Sequence, residues 1–171
     1  MIVHLDLYEQ QTAAQVGMMR VFESIHHGES WGHNYTGNFY QQVKDSVSGA
    51  MAEFAVAKHF KIKPQIHVNH GAAADIMFKN IHIQVKSQTI KKPYPPKYYI
   101  RQTAQDHELF CFVIDNTPQF EIKGFIFAKD IIHDDSRLTD FGFAHRPQVY
   151  LLKEEELKPF NEIILNYLIL I

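Results

Sequence analysis

Apolar residues recur three and four positions apart in two stretches of the chain, a period that predicts amphipathic helices. In the first, Ala14, Met18, Val21, Phe22 and Ile25 form the stripe, and Asp6 with Glu9 three residues later has the form of a capping box. This helix should run to about His27, with Gly28 as its left-handed stop, and the segment GESWGHNYTGN (28–38) has the composition of a surface loop. A second stripe, Val47, Ala50, Met51, Phe54 and Ala57, predicts a helix over roughly 40–60, closed by Pro64. Beyond it the period changes from helical to alternating. Short strands are expected near 65–68, 74–78 and 81–86. Pro93, Pro95 and Pro96 mark a loop, 97–105 is expected as a short helix, and further strands are expected in HELFCFVI (107–114) and EIKGFIFA (121–128). The apolar tail NEIILNYLILI (161–171) fits a helix or a strand over the core, or a homodimer contact. This order of elements is that of a mixed α/β or α+β domain.

Length and composition narrow the class. A chain of 171 residues with 46% apolar and 21% charged residues is expected to form one domain, 1–171, with residues 1 to about 38 as an N-terminal helical extension. The opening residues lack a cationic segment followed by an apolar run, and the longest apolar stretch is too short to span a bilayer, so a cytoplasmic protein without a membrane partner is expected. Cys111 is the only cysteine, which excludes an internal disulfide and a CxxC zinc site; any metal should be oxygen-bound. There is no GxSxG and no glycine-rich phosphate loop, so serine hydrolase and nucleotide kinase chemistry fall away.

The formal net charge of −2 conceals an uneven distribution. From Ile76 to Gln105 there is no acidic residue, while Lys79, Lys86, Lys91, Lys92, Lys97 and Arg101 alternate with Tyr94, Tyr98 and Tyr99. Such a segment can neutralise phosphates and stack on bases, which makes Lys91, Lys92, Lys97, Tyr98 and Arg101 candidates for nucleic-acid contact. A solvated loop would read the same way.

Candidate chemistry lies on either side of this segment. Glu53 stands in GAMAEFAVA with no base among its sequence neighbours; small residues let a helix pack closely, and a carboxylate pressed inward needs a compensating charge such as a metal ion. The segment DIMFKNIHIQVK reads as a hairpin turning at Lys79 and Asn80. Counting back from a two-residue turn pairs Phe78 with Ile81, Met77 with His82, Ile76 with Ile83 and Asp75 with Gln84. Alternation then places Lys86 on the face of Gln84, about 7 Å along, with Ile76, Phe78, Ile81, Ile83 and Val85 on the other face. Asp75 is positioned to hold Mg²⁺, Gln84 or the carbonyl that follows it to complete the shell, and Lys86 to orient or deprotonate a water and stabilise phosphate charge. An ordinary polar sheet face is the competing explanation. Eleven histidines raise a second possibility, a zinc or HNH-type site from His26, His27 and His33 with His67 and His70, but the ligand spacing is incomplete. His70 is close enough in sequence to lie near Asp75.

The sequence GAMAEFAVA, then GAAADIMF, then IQVKS resembles the PD-(D/E)XK nuclease superfamily over about Gly49 to Gln88. That resemblance implies a restriction-endonuclease-like mixed central sheet flanked by helices. It also implies Mg²⁺-dependent phosphodiester hydrolysis, with Mn²⁺ able to substitute, at Glu53, Asp75, Gln84 and Lys86; Glu53, Asp75 and Gln84 would be the metal ligands and DNA the expected partner. Two positions depart from the family pattern: Ala74 stands where proline is usual, and Gln84 where most members carry an acid. Some restriction enzymes and a transposon-end nuclease are similar in using QxK. The outer segments LYEQQTAAQVGMMR and FEIKGFIFAKDI resemble small proteins found in phages and their hosts, which implies a phage or mobile-element setting. The alternative is a nuclease-fold protein without catalysis that binds nucleic acid or a protein partner.

Overall fold

The computed structural model describes residues 1–28, 38–66, 68, 74–90, 93–142 and 147–168, with side chains to 165. Helix α1 (Leu7–His26) begins as its capping box requires: the Asp6 carboxylate accepts from the Glu9 N–H and Glu9 accepts from the Asp6 N–H, both at 2.8 Å. It stops at Gly28, where φ is +65°. The face it buries is not the expected one. Ala13, Val16, Gly17, Val21 and Ser24 are buried, whereas Met18, Phe22 and Ile25 lie on the exposed side. The reason is α2 (Phe39–His59), which crosses so closely that a Cβ on Gly17 would sit 2.6 Å from the Val47 Cα. Ser46 adds a hydrogen bond to the Gly17 carbonyl at 2.8 Å. Close approach of two backbones selects the stripe of small residues over the stripe of large ones.

Gly17→Ala therefore has two opposed effects. In an exposed helix the change would stabilise by about 1 kcal/mol, but here the methyl meets backbone that must move, and overpacking of that kind costs about 1–3 kcal/mol. A net loss of stability is expected in urea denaturation. An unchanged or higher midpoint would mean that the helices separate freely.

Residues 52–57 of α2 are covered all round. Ala50, Ala52, Glu53, Phe54, Ala55, Val56 and Ala57 are all buried, with α1 on one side and the sheet on the other. A helical stretch buried on every side is interior, and Glu53 is its one charged residue. The sheet beneath has five strands in the order β1-β6-β5-β3-β2. Its members are β1 (Ile2–His4), β2 (Ile76–Phe78), β3 (Ile81–Gln88), β5 (Leu109–Asn116) and β6 (Gln119–Phe127). β3 and β5 run parallel; the other neighbours are antiparallel. A second sheet, β4 (Tyr98–Arg101), β8 (Val149–Leu152) and β7 (Leu138–Thr139), covers the opposite face. The molecule is thus mixed α+β, with one core between helices and large sheet and another between the two sheets.

The β2–β3 hairpin has the register counted from the sequence, Ile76 with Ile83, Met77 with His82 and Phe78 with Ile81. Lys79 and Asn80 both adopt positive φ, 47° and 65°, the signature of the type I′ turn that matches strand twist. Three expectations need correction. Gln65, Ile66 and Val68 form no strand, because β-branched content cannot replace a ladder partner; His67 is outside the described residues. The helix expected over 97–105 is instead β4 followed by turns: Tyr98 and Ile100 are buried while Tyr99 and Arg101 are exposed, the period of two that pairing with β8 imposes. Residues 2–4, expected within a helical extension, form an edge strand against β6. The tail forms α3 (Phe160–Leu168), which buries Ile163 in the helix-side core. Among the described residues no helix is long and apolar enough to cross a membrane.

Candidate active site

Asp75 lies one residue before β2, where the two hairpin strands part. The Val85 N–H, which a longer ladder would have given to a backbone carbonyl, donates to Asp75 Oδ2 at 2.7 Å. The carboxylate is thereby fixed against β3 beside the position of Gln84. On the same strand Lys86 is half-buried, its Nζ 5.7 Å from the Phe110 ring centroid. Burial pulls the Lys86 pKa below the usual lysine range; the charges of Asp75, Glu108 and Glu53 oppose that shift and Arg101 adds to it. A half-buried ammonium that feels the charge of these carboxylates is suited to electrostatic work.

Gln84 Nε2 donates to Glu108 Oε1 at 3.2 Å. Glu108, one residue ahead of β5, also accepts from the Gln105 N–H at 2.8 Å through its other oxygen. The sequence puts Glu108 at the head of an expected strand and gives it no role. What brings it to the site is the parallel pairing of β3 with β5, which a local pattern cannot disclose.

Glu53 is buried as expected, 8% exposed, but its compensation is of a different kind. Arg20 of α1 grips it with both terminal nitrogens, Nη1 to Oε1 at 2.6 Å and Nη2 to Oε2 at 2.7 Å. This is the bidentate fork that makes arginine the favoured partner of a carboxylate. Burial pushes the Glu53 carboxyl up, with Asp75 adding to the effect and Arg20 pulling against it. Burial by itself lowers Arg20, but Glu53 and the charge of Asp75 raise it overall. A metal is therefore not required to neutralise Glu53, contrary to the expectation. Arg20 falls on the small buried stripe of α1, between Gly17 and Val21, and assigning that stripe is the signal that would find it.

Glu53, Asp75 and Lys86 thus share one electrostatic environment, Glu53 and Lys86 each sensing Asp75 and each other. Among the described residues no three His, Cys, Asp or Glu side chains gather as a ligand set for a metal ion. Mg²⁺ needs less than that, since one or two carboxylates with waters and substrate phosphate suffice. Asp75 and Gln84 offer hard oxygen donors of the right type. Arg20 takes one lone pair on each Glu53 oxygen, so ligation by Glu53 would share the carboxylate with the guanidinium.

The basic segment divides. Lys97 is exposed, with its Nζ 4.5 Å from the Phe141 ring centroid, and Arg101 is exposed at the end of β4. Tyr98, expected to contact nucleic acid, is a core residue: it is 2% exposed, packs edge-on to Phe112 and donates its hydroxyl to Glu154 at 3.1 Å. Burial and Glu154 push its pKa up to about 12. Tyr99, next along the strand, is the exposed ring. Lys91 and Lys92 lie outside the described residues, as do His33, His67 and His70; His27 pairs with Glu23 on α1.

No protein-family model, curated protein or solved structure matches the chain.

Proposed function

We propose that the chain is a Mg²⁺-dependent nuclease of restriction-endonuclease-like type that hydrolyses phosphodiester bonds in DNA. The observation that carries this reading is the Asp75 carboxylate, fixed on the Val85 N–H where β2 and β3 part, with the half-buried Lys86 ammonium one residue further along β3. Asp75 and the Gln84 carbonyl oxygen would hold the metal, with Mn²⁺ able to take its place. The bound metal supplies Lewis acidity and a water of lowered pKa. Lys86 would orient that water, help to deprotonate it and offset charge on the phosphate. Glu53 and Arg20 set the potential around Asp75, and Lys97 and Arg101 hold the DNA backbone by charge.

The test is cleavage of plasmid, linear and single-stranded DNA with Mg²⁺ or Mn²⁺. Cutting by the native protein is expected, with none by Lys86→Ala, which also serves as the control for a contaminating nuclease. Equal cutting by both proteins would place the chemistry elsewhere.

A non-catalytic binding role is favoured by one arrangement: Arg20 occupies both oxygens of Glu53, and position 84 carries an amide in place of an acid. On that reading the native protein shifts DNA on a gel or captures a protein partner without cutting. Mg²⁺ binding that is lost in Asp75→Ala would count against it.

A further inference from the structure

An amide at position 84 removes a charge from the site and adds an ambiguity, because one end of the group accepts hydrogen bonds and the other donates them. Glu108 resolves the ambiguity. A carboxylate only accepts, so the atom of Gln84 that faces Glu108 Oε1 at 3.2 Å must be the NH₂ group. The carbonyl oxygen is then turned away from Glu108. Sheet order decides what lies on that other side: β3 runs between β5, which Glu108 precedes, and β2, which Asp75 precedes. Gln84 therefore donates toward the β5 side, which leaves its carbonyl oxygen free of Glu108, on a strand whose other neighbour is the one that Asp75 precedes. Glu108 is itself anchored by the Gln105 N–H at 2.8 Å, so it does not drift with the amide.

We propose that Glu108 is a positioning residue that locks the Gln84 amide with its carbonyl oxygen directed at the metal beside Asp75, and restores to the site the negative charge that glutamine lacks. The inference rests on the proposed Mg²⁺ site. It explains how a glutamine can serve where an acid would, through a second carboxylate supplied from the parallel strand. Partners that orient a ligand from behind typically change metal affinity 10–100-fold when removed.

Mg²⁺ titration by calorimetry of the native protein, Glu108→Gln, Gln84→Glu/Glu108→Gln and Asp75→Ala tests this. Glu108→Gln keeps an acceptor for Gln105 but lets the two amides pair in either direction, so Mg²⁺ affinity is expected to fall about tenfold. The double variant exchanges carboxylate and amide and preserves the hydrogen bond between them; its Mg²⁺ affinity is expected to equal or exceed the native value. A double variant as weak as Glu108→Gln would mean that Glu108 serves only the turn, which overturns the inference, as would native affinity in Glu108→Gln. Asp75→Ala separates the two levels: if the native protein binds no Mg²⁺, or Asp75→Ala binds it unchanged, the site reading fails and the inference with it.

Discussion

Asp75→Asn is expected to abolish metal-dependent DNA cleavage while leaving the fold in place. The asparagine carbonyl can still accept the Val85 N–H that Asp75 Oδ2 accepts at 2.7 Å, so the parting of β2 and β3 keeps its fastening. What disappears is the charge. Asp75 is the carboxylate to which Glu53, Arg20 and Lys86 all respond, and it carries the negative charge that would hold a hard dication. Loss of a group that merely orients a ligand costs 10–100-fold in metal affinity, so removing the ligand's own charge should cost at least about 100-fold. Cleavage, Mg²⁺ calorimetry and a urea denaturation midpoint taken together check this. Retained cutting would sink the site, and a large fall in the midpoint would reveal that Asp75 is structural.

Arg20→Met should be the most destabilising single change in the helical layer. The side chains of Arg20 and Glu53 are only 13% and 10% exposed, so removing the guanidinium strands a carboxylate inside the protein next to the charge of Asp75. Breaking a buried pair from one side costs about 3–5 kcal/mol, a large part of the roughly 5–15 kcal/mol that holds a domain together. Arg20→Met/Glu53→Gln should recover most of the loss, since removing both charges spares their desolvation. The deficit depends on pH in a definite direction. Without Arg20 the Glu53 carboxyl rises further, and a carboxyl with a folded pKa above its unfolded value binds its proton more tightly when folded. Stability of Arg20→Met relative to native should therefore improve as pH falls from 7 toward 5. Urea denaturation at both pH values measures it; a variant within about 1 kcal/mol of native at pH 7 would show that Glu53 is compensated from elsewhere.

Features set by short-range geometry are legible in the residues alone. The two-residue turn at Lys79 and Asn80 fixes the pairing of its own strands, so Ile76, Met77 and Phe78 face Ile83, His82 and Ile81 as counting requires. The capping box of α1 and the stop at Gly28 are likewise local. The buried stripe of α1 is not legible in this way: hydrophobic size points to Met18, Phe22 and Ile25, while the partner helix requires smallness at Gly17. The same displacement hides Arg20. β4 escapes local reading because its partner β8 lies about fifty residues later, and with it goes the placement of Tyr98, which alternation turns into the core.

The mixed α+β class and the hairpin with its register follow from periods and turns a few residues long, and the sequence determines them unaided. What surrounds Glu53 and Gln84 is decided only in three dimensions: Arg20 reaches Glu53 across 33 positions of sequence, and Glu108 reaches Gln84 across 24. Electrostatics in a low-dielectric interior depends on distance in space, and a helix crossing or a parallel strand pairing brings together charges that no local pattern connects.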